Sequence, residues 1–166
     1  ERRDFTINAI YLDQNGKVFD PQNGVQNLKE KKIKFIGDPQ KRIEEDYLRI
    51  LRFLRFSIQY KDFDEDDQTF RIIQKNLNGI IKLSKERIFS ELIKIISLDN
   101  IKDLFSKKKF YEIFKVIFPE LKYSDKLKGM NQEIYKKFVQ SEQNLLLALL
   151  LVDDTDNHIY FAHKYK

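Results

Sequence analysis

The stretch of residues 42–59 constrains the fold of this chain more than any other segment. Apolar side chains recur in it at intervals of three and four residues, which aligns them along one side of an α-helix. This apolar stripe consists of Tyr47, Ile50, Leu51, Leu54 and Ile58. The opposite side carries the charged residues Arg42, Glu45, Asp46, Arg49 and Arg52. The pattern predicts one continuous amphipathic helix with acidic and guanidinium groups close together on its polar side.

Asp46 and Arg49 are three residues apart, so a continuous helix makes their side chains neighbours. One interpretation is an exposed ion pair, which adds only about 0.2–0.5 kcal/mol to helix stability. The other is a recognition pair, because a carboxylate accepts hydrogen bonds and a guanidinium donates them. Adenine and cytosine present an amino donor beside a ring-nitrogen acceptor, whereas guanine and uracil present a carbonyl beside an N–H. A fixed Asp–Arg pair therefore predicts selection of A and C over G and U.

The composition favours a mainly helical protein with a buried core. Hydrophobic residues make up 42% of the chain and include 14 Phe, while the small numbers of Gly and Pro leave few helix breakers. The net charge of +5 leans toward a polyanionic partner such as RNA, although 26 acidic residues offset most of the basic ones. Without cysteine, the chain has no disulfide and no thiolate metal site.

The sequence contains no pattern typical of a membrane span or a signal peptide. The longest apolar run, residues 145–152, is too short to cross a bilayer. We therefore expect a cytoplasmic location and no membrane partner. Because the chain begins at Glu1 without an initiator Met, we also expect it to be a fragment.

Turn signals divide the chain into a short β-containing part and a longer helical part. Residues 7–13 and 17–20 are predicted strands of a hairpin, in which Asn15-Gly16 supplies a positive φ. The break at Gly37-Asp38-Pro39 separates this part from the helices, so the fold class is mainly α with a small N-terminal β-hairpin portion (α+β). The other predicted segments are a helix at 25–31, a strand at 33–36, an acidic loop at 61–67, helices at 68–77, 84–97, 101–107, 110–118, 132–140 and 142–152, and a polar end at 153–166.

Four motifs follow one another over roughly the first 95 residues. They are Arg2-Arg3-Asp4-Phe5-Thr6-Ile7-Asn8-Ala9; Asp20-Pro21 with Gly24, Leu28, Lys29 and Ile36-Gly37-Asp38-Pro39; Glu45-Asp46-Tyr47-Leu48-Arg49-Ile50-Leu51-Arg52; and Ser84-Lys85-Glu86-Arg87-Ile88 with Glu91-Leu92. In type and order they resemble the sugar-recognition, hinge, base-reading and neck-stabilising motifs of class II CCA-adding enzymes and bacterial poly(A) polymerases. The resemblance implies template-independent addition of nucleotides to the 3′ end of tRNA, with CTP and ATP as substrates.

The resemblance also implies a domain order. Residues 1–37 correspond to the C-terminal part of a nucleotidyltransferase head, residues 38–97 to a helical neck that recognises the base, and residues 98–166 to part of a helical body. The first of these boundaries coincides with the break at Gly37-Asp38-Pro39.

Within the motifs, the resemblance assigns roles to individual residues. Asp46 and Arg49 read the incoming base, Arg3 contacts phosphate and Asp4 accepts a hydrogen bond from the ribose 2′-hydroxyl. Arginine is a bidentate phosphate donor, and a carboxylate accepts well from a hydroxyl, so the residue types suit these roles. Asn8 helps to anchor the same region. Outside the family context, Arg2, Arg3 and Asp4 have the alternative interpretation of a charged loop.

A second group of residues is predicted to flank or support the site. Arg52 reaches a phosphate, supports the base-reading carboxylate, or is a solvated side chain. Glu45, Glu86 and Arg87 support the structure of the site, with Glu86 holding the neck against the base-reading helix. Because Arg87 and Glu91 are four residues apart, a structural ion pair is the better interpretation of these two.

The chemistry of the family needs paired carboxylates that hold two magnesium ions, and the family places them in a Gly-rich segment before the Arg-Arg-Asp motif. Asp64-Glu65-Asp66 and Asp154-Thr155-Asp156 have a suitable spacing, but neither follows a strand or a Gly-rich turn. Asp154, Asp156 and His158 could gather around a metal, but a polar chain end is the better interpretation of these residues and of His163. We therefore expect no catalytic residue and no metal site in this chain, weak nucleotide binding, and no activity of the chain alone.

Two groups of lysines are candidates for contact with the phosphate backbone of RNA. The first is Lys107, Lys108 and Lys109, and the second is Lys136 and Lys137. The alternative interpretation is a solvated helix surface.

Several activities share these motifs: CCA addition, A-only addition, C-only addition and poly(A) tailing. A bacterial poly(A) polymerase is therefore an alternative within the family, and a non-enzymatic helical RNA-binding module is the alternative outside it. The sequence does not define the oligomeric state.

Overall fold

The computed structural model describes residues 3–60, 66–141 and 143–165. The chain divides into two compact units, Glu1–Lys82 and Leu83–Lys166. The first unit contains a 3-10 turn at Thr6–Asn8, β1 (Tyr11–Leu12), β2 (Val18–Phe19), α1 (Gly24–Lys29), α2 (Pro39–Glu45), α3 (Leu48–Gln59), α4 (Asp67–Asn76) and a 3-10 helix at Leu77–Lys82. The second contains α5 (Lys85–Ile96), α6 (Asp103–Ser106), α7 (Lys108–Ile117), α8 (Lys126–Gly129), α9 (Gln132–Ser141), α10 (Gln143–Leu151) and α11 (Asn157–Tyr165).

These elements confirm the predicted fold class, which is mainly α with a small N-terminal hairpin. The division into head, neck and body at residues 37 and 97 rests on the family resemblance and stays a prediction. Among the helices of the described residues, none is long and apolar enough to cross a membrane.

The hairpin forms where the sequence predicts it. β1 and β2 pair antiparallel, and the carboxylate of Asp13 accepts hydrogen bonds from the backbone N–H groups of Asn15 and Lys17, each at 2.8 Å. Gly16 adopts a φ of 79°, which the absence of a side chain permits. Turn chemistry that the sequence shows directly therefore sets the position of the hairpin.

Two of the predicted strands are shorter in the structure. The strand predicted over 7–13 is reduced to β1, because the 3-10 turn before it is closed by a hydrogen bond from the Phe5 N–H to Asn8 Oδ1 at 3.2 Å. The strand predicted over 33–36 is reduced to one antiparallel bridge between Phe5 and Phe35.

The predicted continuous helix over residues 42–59 is wrong. α2 ends at Glu45 and α3 begins two residues after Asp46, which is extended with φ −156° and ψ 103°. The Asp46 carboxylate accepts a hydrogen bond from the Leu48 N–H at 3.1 Å and so caps the new helix.

Tyr47 occupies the break between α2 and α3, and its ring lies against Gly79. A Cβ atom at Gly79 would lie 2.0 Å from Tyr47 Cε1, so only glycine fits beneath the ring. This contact joins segments far apart in sequence, which is why local periodicity does not reveal the break.

The core of the first unit is aromatic and is built on α3. The rings of Phe35 and Phe53 stack with centroids 5.9 Å apart, Phe5 lies 4.8 Å from Phe35, and Phe70 of α4 meets Phe53 edge-on at 6.0 Å. Four members of the predicted apolar stripe are fully buried: Ile50, Leu51, Leu54 and Ile58. Since Phe53 is buried as well, α3 is covered on more sides than an amphipathic surface helix would be.

The second unit forms a helical bundle, and its predicted helices are found within a few residues of their expected ends. α7 illustrates the agreement, since its buried residues Phe110, Ile113, Phe114 and Ile117 follow helical spacing. Buried Tyr135 of α9 pins this helix to the end of α5, because its hydroxyl donates to the carbonyls of Ile96 and, at 2.9 Å, Leu98.

The prediction of a polar end over residues 153–166 is wrong, because α11 forms there. Phe161 is buried, and its ring lies 6.2 Å from Phe89 and 4.7 Å from Tyr165. The Asn157 side chain ties the start of α11 to the end of α10, because its amide donates to the carbonyl of Leu151 at 2.9 Å. A single buried aromatic residue is too weak a periodic signal to predict a helix.

We expect Gly79→Ala to lower the free energy of unfolding by about 1–3 kcal/mol, because the added methyl group displaces the Tyr47 ring. Urea denaturation measures the change. Gly129→Ala is the matched control, since a Cβ atom there meets nothing within 4 Å. Equal stability of the two variants would contradict the role given to the contact between Tyr47 and Gly79.

Candidate functional site

Asp4 is a buried carboxylate that lies between two guanidinium groups of α3. Its Oδ1 accepts a hydrogen bond from Arg49 Nε at 2.9 Å, and its Oδ2 lies 2.7 Å from Arg52 Nη1. Only 3% of Asp4 is exposed. The backbone N–H of Ile36 donates to the Asp4 carbonyl at 3.0 Å and holds the segment in place. Because an unpaired buried charge is very costly, these contacts fix the start of the chain against α3.

Arg49 is the most enclosed arginine of the site, with 8% of its surface exposed. Its Nε donates to Asp4, while its Nη1 donates to Glu45 Oε2 at 2.7 Å and to the Arg42 carbonyl. These contacts use three of the five N–H donors of the guanidinium. The two N–H groups of Nη2 lie outside them and can meet a ligand.

The structure corrects the predicted contact between the side chains of Asp46 and Arg49. Arg49 is held by Asp4 and Glu45, whereas the Asp46 carboxylate caps α3 at the Leu48 N–H. The physical reason is the break in the helix, which removes the regular three-residue offset. Asp46 and Arg49 stay close through the backbone, since the Arg49 N–H donates to the Asp46 carbonyl at 3.1 Å.

Glu45 joins two arginines at the end of α2. Its Oε2 lies 2.7 Å from Nη1 of Arg42 and 2.7 Å from Nη1 of Arg49. The hydrogen bond from Arg49 lowers the pKa of Glu45 below its usual value, so the carboxylate is ionised at neutral pH. Sequence reasoning assigned no role to Arg42, although its place on the predicted polar side was a usable signal.

We call these residues the arginine cluster: Asp4, Arg42, Glu45, Arg49 and Arg52. Three guanidinium groups face two carboxylates, so the cluster has one excess positive charge. One third of the Arg52 side chain is exposed. An accessible guanidinium in a positively charged cluster suits binding of phosphate.

Two family models match the chain. One is described as "Poly A polymerase head domain" and matches residues 1–34, and the other is described as "Probable RNA and SrmB- binding site of polymerase A" and matches residues 62–124. The CCA-adding enzyme of Lactobacillus helveticus is 34% identical over 94% of this chain and 39% of its own length. The chain belongs to the family of CCA-adding enzymes and poly(A) polymerases.

Other members of this family agree in sequence or in fold. The mitochondrial CCA tRNA nucleotidyltransferase 1 of Mus musculus is 45% identical over 63% of this chain and 24% of its own length. A solved CCA-adding enzyme in complex with ATP matches with a TM-score of 0.73 and 24% identity, over 99% of this chain and 43% of its own. The Thermotoga maritima CCA-adding enzyme complexed with tRNA matches with a TM-score of 0.61 and 20% identity, over 98% of this chain and 46% of its own.

The chain spans about a quarter to two fifths of the length of these curated relatives. At the identities of the solved structures, the likeness establishes the fold of this family. The resemblance inferred from the four motifs is thereby confirmed, while the roles of individual residues stay predictions.

Two other residues of the family's sugar-recognition motif have clear positions. Asn8 is half-buried, and its Oδ1 accepts from the Phe5 N–H, which anchors the turn that follows Asp4. Arg3 is exposed, and its carbonyl accepts a hydrogen bond from Arg42 Nη2 at 2.7 Å. Both positions suit the predicted roles in anchoring the region and in reaching phosphate.

The residues predicted to support the family's neck lie in the second unit. Hydrogen bonds from its own backbone N–H and from the Ser84 side chain lower the pKa of Glu86, so the carboxylate supports the start of α5. Glu91 is buried and pairs with Lys94 at 2.8 Å. Arg87 is exposed. The predicted structural support of the site by Glu86 and Arg87 stays a prediction.

The candidate RNA contacts lie on two helices of the second unit. Lys108 and Lys109 are exposed in the first turn of α7, and the Lys107 ammonium lies 5.3 Å from the centroid of the Phe110 ring. Lys136 and Lys137 are exposed on α9. Their contact with RNA stays a prediction.

The carboxylates with a spacing suited to metal binding cap a helix, are exposed, or lie outside the described residues. Asp64 and Glu65 lie outside the described residues, and Asp66 caps α4 by accepting from Gln68 and Thr69 N–H groups. Asp154, Asp156, His158 and His163 are exposed. Within residues 3–60, 66–141 and 143–165, no group of three or more potential ligands is arranged to hold a metal ion.

We expect Arg49→Gln to lower the free energy of unfolding by about 3–5 kcal/mol, since it leaves the Asp4 charge buried with one partner fewer. Arg52→Gln is the matched variant on the same carboxylate and should cost about 1 kcal/mol or less, because Arg52 is partly exposed. Urea denaturation of both variants measures the difference. Similar losses would show that burial of Arg49 is not what makes it important.

Proposed function

We propose that this chain is the base-recognition part of an RNA nucleotidyltransferase that adds CCA to the 3′ end of tRNA from CTP and ATP. The observation that carries the proposal is the immobilised Arg49, which Asp4 and Glu45 hold one helical turn from Asp46. Membership in the family and the likeness to CCA-adding enzymes support the reaction class.

In this proposal, Asp46 and Arg49 meet the pairing edge of the base. The carboxylate accepts from the amino group of adenine or cytosine, and Nη2 of Arg49 donates to the ring nitrogen beside it. Guanine and uracil present a carbonyl to the carboxylate and an N–H to the guanidinium. A mismatch of this kind leaves polar groups unpaired at a cost of about 1–3 kcal/mol each, which favours ATP and CTP.

The sugar and the phosphates are assigned to the other members of the site. Among the described residues, Asp4 Oδ2 has no hydrogen-bond partner, although Arg52 lies 2.7 Å away as an ion pair. This oxygen therefore retains acceptor capacity for a ribose 2′-hydroxyl. Such a contact requires Arg52 to move, and a phosphate near Arg3 and Arg52 would draw it outward.

Magnesium belongs to the chemistry that the family implies, where it stabilises the leaving pyrophosphate. Asp4 and Glu45 do not fit as its ligands, because arginines hold both carboxylates. We assign the ions to the head segment that precedes the Arg-Arg-Asp motif in the family. The arginine cluster and Asp46 bind and orient the nucleotide.

We propose that tRNA is the partner and that Lys107, Lys108 and Lys109 contact its phosphates. Their location within the span matched by the RNA-binding family model supports the assignment. We place the activity in the cytoplasm, with the mitochondrion as the alternative that the mitochondrial relatives suggest. Poly(A) tailing is the second candidate, because the head segment matches the model of a poly(A) polymerase head.

NMR titration of the chain with ATP, CTP, GTP and UTP tests the proposed base selection. We expect ATP and CTP to bind at least about fivefold more tightly than GTP and UTP, since one unpaired polar group costs about 1 kcal/mol or more. Preference for ATP over CTP as well would favour poly(A) tailing. Equal affinity for all four nucleotides would favour a non-enzymatic RNA-binding module.

Asp46→Ala should abolish this preference, because it removes the acceptor for the amino group. Asp66→Ala is the control, since Asp66 also caps a helix of the first unit and lies outside the arginine cluster. Base selection that survives Asp46→Ala would rule out the reading role of this residue.

A further inference from the structure

We propose that Arg42 is a positioning residue that couples the sugar- and phosphate-binding segment at Arg3-Asp4 to the base-reading residues of α3. This inference rests on the proposed function and assigns a role that the family motifs do not give to Arg42. It follows from three contacts that meet at this one residue.

The side chain of Arg42 joins segments far apart in sequence. Its Nη2 donates to the carbonyl of Arg3 at 2.7 Å, and its Nη1 pairs with Glu45 Oε2 at 2.7 Å. Only 15% of the side chain is exposed. The planar fork therefore bridges a backbone carbonyl and a carboxylate at once, which a single ammonium group cannot do.

The backbone of Arg42 serves the base-reading side. Its carbonyl accepts a hydrogen bond from Arg49 Nη1, the same nitrogen that donates to Glu45. Arg49 is thus oriented by two groups of α2, and the Arg42 side chain holds one of these groups. A shift of α2 changes the direction of Nη2, which is the donor left for a base.

α2 needs such a tie because neither of its ends continues into regular structure. Before it, Gly37 has a φ of 82°, and after it Asp46 is extended. A second polar tie of α2 joins Gln40 to Asn76, whose Nδ2 donates to Gln40 Oε1 at 3.0 Å. Arg42 reaches the Arg3-Asp4 segment from α2. Through it, the position of that segment is transmitted to Arg49.

Substitution of Arg42 separates these contacts. The backbone carbonyl that accepts from Arg49 persists in any variant, and Glu45 keeps its bond to Arg49. Of the contacts described above, the variant loses those from the Arg42 side chain to the Arg3 carbonyl and to Glu45. Arg42→Gln therefore leaves Arg49 and Arg52 beside the Asp4 carboxylate and loosens the tie between the two parts of the site.

The test compares Arg42→Gln and Arg42→Lys with Lys41→Gln in NMR titrations of the whole chain with CTP and UTP. Lys41 is exposed on the same helix and carries the same charge, so its variant controls for electrostatics. We expect both Arg42 variants to reduce the ratio of CTP to UTP affinity by at least about threefold, as for coupled neighbours. Lys41→Gln should leave the ratio unchanged.

Amide hydrogen exchange gives a readout that does not depend on nucleotide. The Ile36 N–H, which donates to the Asp4 carbonyl, should exchange faster in the Arg42 variants, while the Arg49 N–H keeps its protection. If the unaltered chain prefers CTP and the Arg42 variants keep the same ratio of CTP to UTP affinity, the coupling role of Arg42 is wrong while the proposed function stands. Absence of any base preference in the unaltered chain overturns the proposed function and this inference with it.

Discussion

The ion pair between Asp4 and Arg49 is the interaction on which the first unit depends. Both groups are more than nine-tenths buried, and each charge is tolerated only because the other lies beside it. The pair connects the start of the chain to α3 across 45 positions of sequence. Phe5 follows Asp4 directly in the chain and packs on Phe35, so it belongs to the aromatic core built on α3. The ion pair and the aromatic contacts therefore hold the same segment against α3.

The same pair defines what the site is able to recognise. Asp4 and Glu45 fix the plane of the Arg49 guanidinium and leave the Nη2 donors for a ligand. The break between α2 and α3 places Asp46 just before the first turn of α3, where the Leu48 N–H fixes its carboxylate. Preorganised donors and acceptors discriminate between bases better than mobile side chains, because an incorrect base cannot be accommodated by a shift.

Local sequence signals predicted much of this structure. They failed where a contact between residues far apart in sequence determines the local conformation or burial. Asn15-Gly16 placed the hairpin, and regular spacing placed most helices. The break at Asp46 was missed, because it depends on the ring of Tyr47 lying against Gly79, and no periodicity reports such a contact. The burial of Arg49 was missed for a related reason: its covering partner, Asp4, comes from the far end of the unit. The motifs identified the family, but they did not show which acid holds which arginine.

A double-mutant cycle between Asp4→Asn and Arg49→Gln tests the central claim most directly. We predict that the free energies of unfolding of the two single variants and the double variant give a coupling of about 1.5–3 kcal/mol, as for contacting residues in one network. Additivity within about 0.5 kcal/mol, the behaviour of independent sites, would contradict the claim that this buried pair joins the start of the chain to the base-reading helix.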